Sequence, residues 1–474
     1  MSLTIRLCAL LLLVSGLSAE ILNKSWWNNT VFYQIYPRSL YDTNADGVGD
    51  LKGITLKLPY IAETGVNAIW LSPIYPSPMV DFGYDISNFT GIDPVFGTME
   101  DFKDLLVKAK KLGLKVVLDL VPNHSSDKHP WFQKGLQGNE KYKNYYMWAD
   151  GKDKDDKTPP NNWISVFSGS AWEYVDSQKQ WYFHQFDYRQ PDLNFSNPDV
   201  RDEMKNVLKF WLDLGIDGFR IDSAPFIYED PELRDEPRSY AAGLTPRDYS
   251  YLDHIYTVDQ KPTYELFGDW RKYVDDYADE HNQDQKMMVM EAYTSFPHTM
   301  EYYNYNVTPF NFAFIINVTI NSSAEVYKEK IDGWTNSMPS GKIANWVSIE
   351  LENALRERDQ AQILIANLTR ALDDSQQSLQ KLRIHKDSLK EFTPMEKTNV
   401  QQEPAQILTA IEEPISQQES VQSAQSPIEK EVQQDTQLDI GLGWDYSSDY
   451  YSVPINNIHL RKKAAVVYTS LEIP

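Results

Sequence analysis

Asp222 ends the apolar segment Asp217-Gly-Phe-Arg-Ile-Asp222, and Arg220 stands two residues before it. Residues i and i+2 of a strand share a face, so this guanidinium can hold the carboxylate ionised. An ionised aspartate with its own arginine at a barrel mouth is what a glycosidic nucleophile needs. The same pair would also serve as a buried salt bridge ending a core strand. Four further segments offer chemistry. Asp119-Leu-Val-Pro-Asn-His124 places a histidine after a strand, and Asp81-Phe-Gly-Tyr-Asp85 supplies two acids and the stackable ring of Tyr84. Met287-Met-Val-Met-Glu291 carries one carboxylate after four apolar residues, and Gln190-Pro-Asp-Leu-Asn194 adds amides and an acid. Burial would raise the pKa of Glu291, as a general acid requires, while Arg220 keeps Asp222 charged.

A separate cluster, Asp42, Asn44, Asp46, Val48 and Asp50, alternates oxygen ligands around Gly47 and suits a hard cation such as Ca²⁺. The EF-hand pattern fails at its twelfth position, which falls on Gly53. An acidic turn that caps itself is the alternative.

The elements that must position these groups alternate between strand and helix. Strands are expected at 31–36, 68–71, 115–120, 218–221, 287–291, 312–318 and 343–347. Helices are expected near 50–64 and 98–112, and from Pro198, capped by Asn197, to Leu214, where Gly215 stops it. Such alternation indicates a parallel sheet, and this many repeats a barrel with its chemistry at the strand C-termini. Residues 124–197 are too long for a plain loop and read as a small inserted domain over the barrel mouth.

After Val347 the character changes. Apolar residues at heptad spacing from Leu351 to Leu389 predict a coiled coil, and 391–474 reads as mostly disordered. The expected fold is therefore α/β, a (β/α)8 TIM-type barrel that is C-terminally truncated at 347. It has an insertion after strand 3 and is followed by a helical coiled-coil segment (348–390) and a disordered tail. The coiled coil would support homo-oligomers through 351–389.

The chain has 474 residues, with 45 Lys plus Arg against 68 Asp plus Glu, a net charge of −23. Such acidity excludes nucleic acid and anionic membrane as partners and fits a neutral substrate. Residues 1–19 have the layout of a secretory signal: Arg6, an apolar core from Leu7 to Val14, then small residues to Ala19. That core is too short to cross a membrane. The only cysteine, Cys8, lies within it, so the mature chain would be secreted without a disulfide. Sequons at Asn23, Asn28, Asn88, Asn306, Asn317, Asn321 and Asn367 fit that route, whereas those at Asn123 and Asn194 are expected to line a cleft and stay bare.

Together, Val31-Phe-Tyr-Gln-Ile-Tyr-Pro-Arg-Ser-Leu-Tyr-Asp42, Asp119 to His124, Gly218-Phe-Arg-Ile-Asp222 and the Glu291 strand resemble the α-amylase superfamily. The match is to its α-glucosidase (maltase) branch of the insect digestive type, over about residues 26–347. The resemblance implies a retaining hydrolase of α-1,4-linked maltose, sucrose or short malto-oligosaccharides, with Asp222 as nucleophile and Glu291 as acid/base. It implies that Asp81, Tyr84, His124 and Arg220 hold the sugar over a platform formed by Phe167, and that Asp42, Asn44, Asp46, Asp50 and the Val48 carbonyl bind a structural Ca²⁺, with no organic cofactor. Ser223 after the nucleophile, where valine marks α-1,6 specificity in relatives, leans towards α-1,4 bonds. One departure stands out. The family continues to Asn-His-Asp after a segment like Ala344-Asn-Trp-Val347, and here Ser348-Ile-Glu350 follows, without the third carboxylate. A binding or receptor protein of this fold without catalysis, or an oligomeric coiled-coil fusion, are the alternatives.

Overall fold

The computed structural model describes residues 26–152, 157–319, 322–347 and the backbone of 467–471. The signal segment, the coiled-coil segment, Glu350, most of the tail and the sequons at Asn23, Asn321 and Asn367 lie outside the described residues.

The barrel is laid down as β1 (Val31–Ile35), α1 (Leu51–Glu63), β2 (Ala68–Leu71), α2 (Met99–Lys111) and β3 (Lys115–Leu120). The long stretch after β3 carries β4 (Trp148–Ala149), β5 (Trp172–Val175) and β6 (Gln180–Phe183), an antiparallel sheet in the order β4-β6-β5. Then follow α3 (Pro198–Leu214), β7 (Gly218–Ile221), α4 (Lys261–Glu280), β8 (Met287–Met290), α5 (Phe296–Asn304), β9 (Thr308–Pro309), α6 (Ala313–Asn317), α7 (Ala324–Ser337) and β10 (Ala344–Val347). A last strand, β11 (Val467–Leu471), joins the sheet from far along the chain.

The helices start where local chemistry says they should. Asp50 accepts from the Gly53 N–H, Thr98 and Asp101 form a reciprocal capping box, and Asn197 accepts from the Asp199 N–H ahead of Pro198. Gly215 ends α3 at φ 97°, a left-handed turn that glycine adopts without a Cβ clash. Gly218 is required for another reason: a Cβ there would meet the Met287 carbonyl oxygen at 2.5 Å, so only glycine lets β7 lie this close to β8.

Strands β1, β2, β3, β7, β8 and β9 pair in parallel in that order. Alternation sorts their side chains. Ile69, Leu71, Val116, Leu118, Phe219, Ile221, Met288 and Met290 face the helices in one cluster, while Phe32, Trp70, Val117, Val289 and Phe310 fill the barrel interior in another. Continuing the inward parity from Val117 and Val289 leads to Asp119 and Glu291.

The expectation of a strand at 312–318 is corrected. The sixth parallel strand is β9, with Thr308 opposite Val289 and Pro309 opposite Met290. Residues 313–317 instead coil into α6, where Asn311 Oδ1 accepts the Ala313 N–H and turns the chain. A short apolar run carries no periodicity that separates strand from buried helix.

Within the 391–474 segment, read from sequence as mostly disordered, residues 467–471 form a strand. β11 lies between β10 and β1 and runs antiparallel to both, with Thr469 opposite Val31 and Trp346. It is therefore not the eighth parallel strand of a regular barrel, but it occupies two backbone edges that would otherwise stand unpaired.

Candidate active site

Arg220 is the hub of the site. It points inward from β7, nearly fully buried, with its guanidinium 5.0 Å from the centre of the Trp70 ring. Nη1 donates to Asp119 Oδ1 at 2.7 Å and to Asp222 Oδ1 at 2.5 Å, and Nη2 pairs with Glu291 Oε1. Three strand ends, those of β3, β7 and β8, thus deliver three carboxylates to one cation.

One positive charge cannot neutralise three buried carboxylates, so protons are retained on some of them. Burial, opposed by Arg220 and reinforced by Asp222, pushes Glu291 up to about 8, and the same balance pushes Asp119 up to about 7. Glu291 and Asp119 both face Arg220, so the proton on one depends on the charge of the other.

Ser223 grips both partners: its N–H donates to Glu291 Oε2 at 3.0 Å and its hydroxyl to Asp222 Oδ2 at 2.9 Å. It does so from a left-handed backbone, φ 50°, sparsely populated outside glycine and typical of functional turns. Tyr84 donates its hydroxyl to Asp119 Oδ2 at 3.1 Å.

Beside the carboxylates, Gln190 Nε2 donates to Asp81 Oδ2 at 2.8 Å and lies 3.0 Å from His124 Nε2. His124 Nδ1 in turn lies 2.8 Å from Asn123 Oδ1. His124 Nε2 also faces the Tyr84 carbonyl at 3.2 Å, and burial lowers the imidazole pKa. Phe186 lies 5.3 Å from the His124 ring and 5.9 Å from Phe167, so Phe167 belongs to the same aromatic wall at one remove. Asn123 is buried, with Nδ2 donating to Asp192 Oδ2 and the Phe226 carbonyl, which leaves its sequon closed to modification.

The expected residues Asp222, Glu291, Arg220, Tyr84, Asp81 and His124 are thus brought together. Asp119, Ser223 and Gln190 touch these residues directly, contacts that sequence reasoning missed. Asp119 could have been found from strand parity with Val117; the contacts of Ser223 and Gln190 have no local signal.

The Asp42 to Asp50 loop is built differently. Asp42 accepts backbone N–H groups from Asn44, Ala45 and Gly47, which hold its carboxyl below the usual range. Asn44 Nδ2 donates to Asp46, and Asp50 accepts from Thr43 and caps α1. The ligand oxygens are hard, as Ca²⁺ requires, but no three acidic, histidine or cysteine side chains among the described residues converge on a common point suited to a metal. As it stands the loop satisfies itself.

The alpha-amylase catalytic-domain family matches residues 34–364. Maltase A2 of Drosophila melanogaster is 48% identical over 353 residues, covering 72% of this chain and 62% of that protein. The salivary alpha-glucosidase of Anopheles gambiae is 47% identical over 333 residues, covering 68% and 56%. Among solved structures, the alpha-glucosyl transfer enzyme XgtA superposes with a TM-score of 0.61 at 39% identity, over 67% of this chain and 59% of its own. A trehalose-6-phosphate hydrolase of Bacillus licheniformis gives 0.54 at 37% identity, over 61% and 50%. The chain spans between 56% and 62% of the length of the two insect relatives.

Proposed function

Because the chain belongs to the alpha-amylase family, we propose that it is an α-glucosidase acting on α-1,4-linked maltose, sucrose or short malto-oligosaccharides with retention of configuration. The observation that carries this reading is the pairing of Asp222 and Glu291 with two nitrogens of one guanidinium. Sharing one small group favours the short carboxyl separation of about 5 Å used in retention over the ~6.5–9.5 Å of inversion. In the first step Asp222 attacks the anomeric carbon while Glu291, protonated at neutral pH, gives its proton to the departing glycosidic oxygen. In the second, Glu291 takes a proton from the water that displaces Asp222. Asp81, Tyr84, His124 and Arg220 would grip the sugar, with Phe167 as the platform.

Where the resemblance implies Asn-His-Asp with a third carboxylate, this sequence has Ser348-Ile-Glu350. Losing a transition-state contact of this kind costs about a hundredfold or more in rate. This difference favours a second reading, a sugar-binding protein without turnover. Glucose release from maltose by the full chain, lost in Asp222→Asn, supports the first; saturable maltose binding with no release replaces it with the second.

Secretion is part of the proposal. Salivary α-glucosidases are among the relatives, and no helix among the described residues is long and apolar enough to cross a membrane. Exposed Asn88 and Asn306 are the described sequon positions best placed for glycans. Asp42, Asn44, Asp46, Asp50 and the Val48 carbonyl would hold Ca²⁺ in a structural role. A melting temperature indifferent to EDTA and to added Ca²⁺ would remove the ion from this proposal. Self-association through 351–389 is testable by sedimentation of the chain with and without that segment.

A further inference from the structure

We propose that Asp259 is a positioning residue that clasps the turn carrying Asp222 to the turn carrying Glu291. The inference rests on the reading of those two residues as nucleophile and acid/base. Asp259 stands at the end of the long loop between β7 and α4. Its N–H donates to the Pro225 carbonyl at 2.9 Å, within the short 3₁₀ turn Ala224–Phe226 that follows the nucleophile. Its carboxylate, 8% exposed, faces the other way: Oδ2 accepts from the Thr294 hydroxyl and lies 3.0 Å from His298 Nδ1. Oδ1 accepts from the Tyr264 hydroxyl of α4 at 2.9 Å.

Thr294 lies three residues beyond Glu291, and its N–H closes back on the Ala292 carbonyl at 3.0 Å. One residue therefore ties the turn after β7 through its backbone, the turn after β8 through its side chain, and α4 through Tyr264. Between the two turns, Ala224 N–H donates to the Glu291 carbonyl and Ser223 N–H to Glu291 Oε2, each at 3.0 Å. Those two bonds hold only if the turns stay in register, and Asp259 holds that register from behind.

The residue type follows from the task. Asp259 sits at φ 57°, a left-handed conformation that Asp and Asn tolerate better than most residues. A carboxylate also accepts from two hydroxyls and one imidazole at once, which no neutral side chain of this length can do. A retaining reaction is sensitive to the spacing of its two carboxyls, and a displacement of about 1 Å can cost ~100-fold in rate.

The test uses the full chain with Asp259→Ala, Asp259→Asn and Thr294→Val. Asp259→Ala should lower kcat on maltose by ~100-fold while KM stays within ~3-fold, because geometry is lost and sugar contacts are kept. Amide hydrogen exchange should accelerate in peptides 222–228 and 291–296 and stay unchanged in β2 and β3. Asp259→Asn should fall between Ala and the parent, and Thr294→Val should loosen 291–296 alone. Unchanged exchange in both peptides overturns the clasp, as does a loss confined to KM. If the parent chain releases no glucose, the glucosidase reading fails, and the exchange measurement alone then decides the clasp. If Asp259→Ala does not fold, the Asn and Val variants decide it by the same two readouts.

Discussion

Two parts of this barrel are held together in different ways. From β1 to β8 the strands pair in parallel over four-residue registers, and their period-2 alternation sends Asp119, Arg220, Asp222 and Glu291 inward without further help. The seam from β9 to β1 lacks a continuous parallel ladder, and its longer pairings, β10 with β11 and β11 with β1, are antiparallel. β9 pairs over two residues, β11 enters antiparallel, and β9 meets β10 through a side chain. Asn345 Nδ2 donates to the Pro309 carbonyl at 2.8 Å while its Oδ1 accepts the Asn311 N–H at 2.9 Å, imitating a strand pair with one amide. Chemistry is placed by local repetition; closure is improvised from distant pieces.

If that contrast is right, substitutions at the site should remove turnover and spare stability, and substitutions at the seam should do the reverse. The largest effect is expected from Glu291→Gln, which should slow maltose hydrolysis by ~10²–10⁴-fold with an unchanged melting temperature. A glucoside whose leaving group needs no proton should be hydrolysed with a smaller loss. An equal loss on both substrates would deny Glu291 its role as the acid.

At the seam, Thr469→Pro removes an N–H from the middle of β11 and should cost about 3 kcal/mol or more in a urea titration. No change in the unfolding midpoint would remove β11 from the sheet. Asn345→Ala should be milder, about 1–3 kcal/mol, because it leaves a buried carbonyl and a buried N–H without partners. Its kcat per folded molecule should stay within ~3-fold of the parent.

A pH dependence of stability is expected from the site as well. Glu291 and Asp119 are both raised on folding, so the stability from their protons is present below their ordinary values and is lost as pH rises through about 7 and about 8. The melting temperature should therefore decline from pH 5 to pH 9, and kcat should fall on its alkaline side near the value of Glu291. A melting temperature that rises over that interval would contradict the three-carboxylate cluster.

Much of the site was legible before any coordinates. Asp222, Arg220 and Glu291 follow apolar strand segments, and Asn197-Pro198 and Gly215 bound the helix that precedes one of them. These are local signals, each written within a few residues. The 312–318 segment misled because Phe312 to Ile316 is an unbroken apolar run, while the Asn311 side chain that turns the chain into the helix lies just outside it. Gln190 reaches Asp81 and His124 across long sequence separations, and neither neighbour's sequence announces it.

By itself, the sequence determined which carboxylates end strands and which helices are capped, because those depend on neighbours in the chain. Only the tertiary structure decided that three carboxylates share Arg220, that Asp259 joins two turns, and that a strand from 467–471 fills the seam. Charge sharing and edge pairing depend on distances between residues far apart in the chain, and those distances exist only once the sheet has curled around its core.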